Sequence, residues 1–143
     1  MSGLPEGYRL TEDPSEIDAV AAHAFLSESY WAKGIPIETV TAAIAGSLCV
    51  AVRHEDRQVG LIRVISDFAT TAYLTDVYVL DAHRGKGLAS SMLAHLQAHP
   101  RLQGLRRWFL FTADAQPLYV KAGWKLYPHT DRMMVRDNPD IYL

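Results

Sequence analysis

The sequence predicts an α+β fold: a central mixed, largely antiparallel sheet with helices packed on both faces. Three observations lead there. Apolar side chains recur at helical spacing before residue 46, residues 48–65 read as two strands joined by a short polar turn, and from residue 74 strand and helix patterns alternate. A hairpin is antiparallel, whereas a strand-helix-strand unit needs a parallel crossover, so the sheet is mixed.

Taken in order, residues 8–10 form a short strand, and a helix begins at Pro14, with Ile17, Val20, Ala21, Ala24 and Phe25 making its apolar stripe. A linker over 27–35 follows. Pro36 opens a second helix in which Ile37, Val40, Thr41 and Ile44 share a face, ending near Gly46. Strands are expected over 48–53 and 58–65, with residues 54–57 as the hairpin, and a third over 74–79. The helix after Gly87 carries Leu88, Met92, Leu93 and Leu96 on one face and stops before Pro100. Residues 107–112 are nearly all apolar, the pattern of a strand buried on both faces. Asp114 can cap a short helix over 115–122 that Gly123 ends, and residues 132–135 permit a last strand.

At 143 residues the chain fits one domain, 1–143, and no repeat or long linker divides it. The net charge of -2 argues against nucleic acid, which needs a basic surface. No apolar run approaches the ~18 residues of a membrane span, and the N-terminus does not read as a secretory signal. The single cysteine, Cys49, sits in an apolar run and reads as a buried strand thiol in a reducing compartment, so a cytoplasmic location is expected. Exposed sheet edges near the C-terminus are compatible with a homodimer.

The most informative segment is 74–89, a strand ending in a glycine-bearing turn that opens into a helix. Free backbone N–H groups and the positive end of a helix dipole converge there, a place for a phosphate. A Walker loop is excluded because the spacing to Lys86 lacks its first glycine and Gly87 stands where Ser or Thr is needed. A dinucleotide fingerprint is excluded because its third glycine is Ser90. What fits is V-x-x-x-x-R-G-x-G-x-A, running from Val79 through Arg84, Gly85, Lys86, Gly87 and Leu88 to Ala89.

This pattern closely resembles the acetyl-CoA loop of the GNAT superfamily of N-acetyltransferases, whose core [QR]-x-x-G-x-[GA] is met by Arg84, Gly87 and Ala89. A second landmark, Tyr119-x-x-x-Gly123-Trp124, resembles the family's Y-x-x-x-G-[FW] segment; together the two cover about residues 48–124. The resemblance implies acetyl-CoA as co-substrate, held by the backbone of Val77, Tyr78 and Val79 and by Arg84, Gly85, Lys86, Gly87, Leu88, Ala89 and Ser90. It implies Tyr119 as the acid that protonates the departing thiolate, since a phenol with a pKa of ~10 keeps its proton at neutral pH. Asp76 is the candidate base, with a water chain or a purely structural role as alternatives; strand alternation places it on one face with Leu74 and Tyr78. Ser29, Tyr30 and Trp31 are candidate acceptor contacts. Trp108 reads as core. The chain departs from the family in Thr112, where an asparagine is common, and in Trp124, where phenylalanine is usual.

The implied activity is transfer of an acetyl group to a primary amine, most simply a small metabolite. A protein lysine or N-terminus, or a non-catalytic acyl-CoA sensor, are the alternatives. His95 and His99 have the spacing of a metal pair, but no third ligand is apparent and no metal is expected; a solvated helix face is the default. The Arg101, Arg106 and Arg107 cluster reads as an edge-solubilising feature.

Overall fold

Alternation along one central strand sorts the core into two halves. In β2 (Leu48–His54), Val50 and Val52 face one side of the sheet while Cys49 and Ala51 face the other, and all four are buried. The computed structural model describes residues 3–143. It pairs β2 with β1 (Tyr8–Thr11) and β3 (Arg57–Ser66), then adds β4 (Thr71–Val79) and β5 (Arg107–Phe109), so that the sheet runs in chain order. The first three pairings are antiparallel and β4 with β5 is parallel. The β2–β3 hairpin turns through Glu55 and Asp56, both at positive φ, as a tight two-residue turn requires.

Helices cover both faces. On one, α1 (Ala19–Leu26) and α2 (Ile37–Ala45) place Ala22, Leu26 and Val40 against Ala51, Leu61 and Tyr78. On the other, α3 (Leu88–Gln97) makes the crossover from β4 to β5 and buries Leu88, Met92, Leu93 and Leu96 against Val50, Ile62 and Leu74, joined by Tyr119 of α4 (Gln116–Lys121). The stripe read for α3 is the one it buries.

Four expectations are corrected. Residues Pro14–Glu16 form an isolated 3-10 turn capped by Asp13, and α1 starts only at Ala19, where the Asp18 carboxylate accepts the Ala21 N–H. Its buried positions are Ala22 and Leu26, with Val20 71% exposed; the helix is apolar nearly all round, so spacing alone does not select a face. Strand β5 stops at Phe109 and is an edge strand rather than a central one, which leaves Phe109 and Phe111 partly open. Residues 132–135 pair with nothing in the sheet, and Met134 is 95% exposed. Asp114 does not cap α4; its N-cap is Ala115, whose N–H is accepted by the Thr112 hydroxyl.

His95 and His99 do not lie on a solvated face: their Nε2 atoms meet the two carboxylate oxygens of Glu12 at 2.7 and 3.0 Å, which holds the Glu12 carboxyl below its usual range. Among the described residues no cluster of three His, Cys, Asp or Glu side chains is arranged to hold a metal ion, and no helix is long and apolar enough to cross a membrane. Cys49 is buried as expected, and burial pushes its thiol up to about 11. Trp108 packs edge-on to Trp124 beside the α3 core.

One buried polar group ties α1 to the sheet. The Gln58 amide accepts the Asp18 N–H at 2.8 Å and donates to the Asp18 carbonyl and the Tyr78 hydroxyl, each at 3.1 Å. Gln58→Leu removes all three partners at once and should destabilise the fold by about 2 kcal/mol in urea denaturation; a loss below about 0.5 kcal/mol would mean water replaces the amide fully.

Candidate active site

The site begins as an irregularity in β4. Leu61 pairs with Tyr78 and Arg63 with Thr75, so β4 carries one more residue than β3 over this interval. The extra residue makes a bulge at Asp76, whose φ is +54°. Alternation is reset across it: Leu74 belongs to the α3 side and Tyr78 to the α1 side. Asp76 therefore shares a face with Tyr78 but not with Leu74, which corrects the reading from plain alternation.

The bulge is held by charge. Arg63 Nε donates to Asp76 Oδ2 at 2.8 Å, and the pair is nearly enclosed, with side chains 14% and 10% exposed. Arg63 Nη1 donates to Ser47 Oγ, and the Trp31 indole N–H donates to Asp76 Oδ1 at 2.9 Å. Two lone-pair positions on the carboxylate remain.

Before the bulge is reached, β4 and β5 have already parted. Their pairing covers only Thr71–Arg107, Ala72–Trp108 and Tyr73–Phe109. Between the diverging strands lies a cleft of about 730 Å³ that reaches from Trp31 and Asp76 past Tyr119 to Gly85 and Gly87. The Leu80 N–H donates to Val59 across the β3 side, so the preceding residue, Val79, turns its own N–H and C=O to the open edge. Arg84 Nε takes that carbonyl at 3.1 Å; no strand faces the N–H.

At one end of the cleft, Gly85 and Gly87 have φ of +77° and +76°, and a Cβ built on either would meet no atom within 4 Å. Open space over two left-handed residues is what a bulky anion lying on the backbone requires. Gly87 is also the N-cap of α3, with no side chain capping the first-turn N–H groups. Leu88 is buried in the core, while Ala89 and Ser90 line the cleft. Arg84 is exposed and paired with Asp81, and Lys86 is exposed beside the cleft rather than on its lining. The loop is braced from behind: His83 Nδ1 meets the Tyr8 hydroxyl at 2.7 Å, and the Tyr8 ring stacks on His54.

At the centre, Tyr119 is buried on α4 and lines the cleft. Burial, then the neighbouring Tyr30 and Asp114, pushes its hydroxyl up to about 12, so it remains a donor throughout the neutral range. Tyr78 also reaches about 12 through burial, but its side chain is packed in the α1 core, stacked on Phe25.

At the other end Tyr30 and Trp31 line the cleft, and the Tyr30 oxygen accepts the Ala113 N–H at 3.1 Å, tying the 27–35 linker to the loop after β5. Ser29 lies elsewhere: it is buried, donates to the Leu26 carbonyl and accepts the Ala32 N–H, closing the turn after α1. Reading the sequence missed Arg63, His83, Phe25, Tyr73 and Phe111. A signal existed for Arg63, a lone cation in the apolar run of β3, which demands a buried partner. The others declare themselves only once strands 4 and 5 are seen to diverge.

Comparison with known proteins identifies the family. Residues 45–126, over half the chain, match the family model described as Acetyltransferase (GNAT) domain. A candidate acetyltransferase from Gibberella zeae is 34% identical, covering 88% of this chain and 84% of its own. The crystal structure of a candidate GNAT acetyltransferase from Xanthomonas campestris pv. campestris is 42% identical, with a TM-score of 0.92 over 97% of this chain and 98% of that one. The crystal structure of a candidate acetyltransferase from Clostridium acetobutylicum, determined with acetyl-CoA, shares the fold at 18% identity and a TM-score of 0.64, over 92% of this chain and 94% of that one. Fold, cleft and relatives define an acyltransferase. The chain belongs to the GNAT acetyltransferase family, whose members use acetyl-CoA.

Two outcomes test the geometry alone. Arg63→Leu leaves a buried, unpaired carboxylate and should cost about 3–5 kcal/mol of stability, of which Asp76→Asn on the same chain restores a large part. Tyrosine ionisation followed by ultraviolet absorbance should show late components near pH 12 that Tyr119→Phe and Tyr78→Phe each diminish. Because folding raises both pKa values above the unfolded ~10, the associated stability is complete below pH ~10 and is lost as pH rises toward 12.

Proposed function

We propose that this protein acetylates a primary amine carried on a small molecule, by direct attack within one complex of donor and acceptor. The observation that carries the reading is that Gly85 and Gly87 of the cradle, Tyr119 and Asp76 all line a single cleft. When bound, acetyl-CoA supplies an acetyl thioester, whose C–S bond breaks as the acceptor nitrogen forms a C–N bond. The first-turn N–H groups of α3, over Gly85, Gly87, Ala89 and Ser90, hold the pyrophosphate, and Arg84 with nearby Lys86 adds positive charge. Leu88 anchors that turn in the core.

Backbone of Val77, Tyr78 and Val79 lines the carbonyl's position, and the Val79 N–H is available to polarise its oxygen. Asp76 attracts the ammonium with its unused lone pairs; one proton leaves to solvent before attack, and Asp76 or a water beside it takes the second as the C–N bond forms and passes it on to solvent. Tyr119 gives its proton to the sulfur, so that the thiol leaves neutral, and regains one from solvent. The balance is one amide, one thiol and one released proton.

The bridge from Tyr30 to Ala113 spans the cleft near the acceptor end, which favours a small molecule over a protein segment laid through an open groove. A non-catalytic acyl-CoA sensor would not need a buried hydroxyl held in its donor form.

Tyr119→Phe should lower kcat about 100-fold or more, with CoA affinity within about twofold of the parent. Gly87→Glu should abolish CoA binding by calorimetry, because it places a carboxylate and a strained left-handed residue in the cradle. Undiminished CoA binding by Gly87→Glu would refute this placement.

A further inference from the structure

We propose that the acceptor is an arylalkylamine: a flat aromatic body bearing one primary ammonium and no anionic group. This rests on the acetyl-transfer reading above and narrows it. The acceptor end of the cleft is walled by aromatic rings from two directions. Phe25, Tyr30 and Trp31 come from α1 and its linker, and Tyr73 and Phe111 from β4 and the segment after β5. The rings are already arranged: Tyr30 meets Trp31 edge-on at 5.0 Å, and Tyr73 meets Phe111 edge-on at 6.0 Å. Yet Trp31 remains 40% and Phe111 59% exposed, apolar surface that none of the described residues covers. An aromatic body entering there would remove that surface from water and stack on faces already fixed in place.

Charge selects the rest of the molecule. Asp76 and Asp114, both acidic, line the same cleft as Tyr119. Among the described residues lining the cleft the only Arg or Lys is Arg84, which belongs to the cradle and is paired with Asp81. Arg63 is consumed by Asp76 and Ser47 and is not on the lining. An ammonium thus finds a carboxylate and aromatic faces, whereas a phosphate or carboxylate on the acceptor would lose its water with no cation to replace it.

The test uses the intact chain and matched acceptors that differ by one group: tyramine against tyrosine and tryptamine against tryptophan, with spermidine and glucosamine 6-phosphate as acceptors without an aromatic body. CoA binding is measured first by calorimetry, then thiol release from acetyl-CoA. The expected result is turnover of tyramine and tryptamine, with kcat/KM lower by at least about 100-fold for each carboxylate-bearing partner. Phe111→Ala should raise the KM for tyramine about tenfold while the KM for acetyl-CoA stays put. Phe111→Arg, which supplies the missing cation, should narrow the gap between tyramine and tyrosine. Tyrosine used as well as tyramine, preference for spermidine or glucosamine 6-phosphate, or CoA binding with no arylalkylamine turnover would each overturn this inference while leaving the cofactor assignment intact. Failure to bind CoA would overturn the underlying reading and this inference with it.

Discussion

The Arg63–Asp76 ion pair sits where the central sheet stops being regular, and one wall of the candidate active-site cleft depends on it. Antiparallel pairing of β3 with β4 runs from Ser66 and Ala72 to Gly60 and Val79. The additional residue at Asp76 breaks that continuity. A positive φ at a non-glycine residue costs on the order of 1 kcal/mol or more, so the bulge persists only because something opposes relaxation. Arg63 and the Trp31 indole N–H provide that opposition by holding one carboxylate oxygen each.

Three features of the cleft meet at the bulge. Side-chain alternation shifts, so that Tyr78 packs beneath α1 while Val79 remains with the α3 core. The parallel β4–β5 pairing ends after Tyr73 and Phe109, which opens the space between the strands. The Val79 backbone turns to that space, and its carbonyl is claimed by Arg84 of the glycine loop. Strand geometry and loop geometry are thereby coupled through one hydrogen bond. The loop is held on its other side by Tyr8 and His83, so β1 as well as β4 contributes to the cradle. A buried ion pair contributes little net stability compared with apolar packing. Its retention here fits a role in position: it fixes where a carboxylate stands relative to Tyr119.

How much of this was legible in the sequence depended on whether the determining contacts were local. The β2–β3 hairpin, the α3 stripe and the glycine turn were legible because turn chemistry and periodicity act over a few residues. Family motifs extended that reach to Tyr119. Other features were not local. Helix α1 is alanine-rich with apolar residues on several sides, and only packing against Leu61 and Tyr78 decides that Leu26 is inside and Val20 outside. The run after Arg107 looks like a doubly buried strand because one side faces the core and the other lines a cleft, and a cleft reads in sequence like an interior. Ser29 looked available because a linker was assumed to be open, whereas its hydroxyl closes a turn. The side on which Asp76 falls depended on a bulge that no pattern in β4 announces.

The central claim is that the bulge leaves the Val79 N–H without a strand partner so that it can receive the acetyl carbonyl. Amide hydrogen exchange followed residue by residue by NMR, with and without saturating acetyl-CoA, tests it most directly. The account predicts that Val79 in the free protein exchanges far faster than Tyr78 and Leu80, its neighbours on the β3 side, and that acetyl-CoA slows it by about tenfold or more. A Val79 amide already as protected as its neighbours in the free protein, or one unchanged when acetyl-CoA is bound, would contradict it.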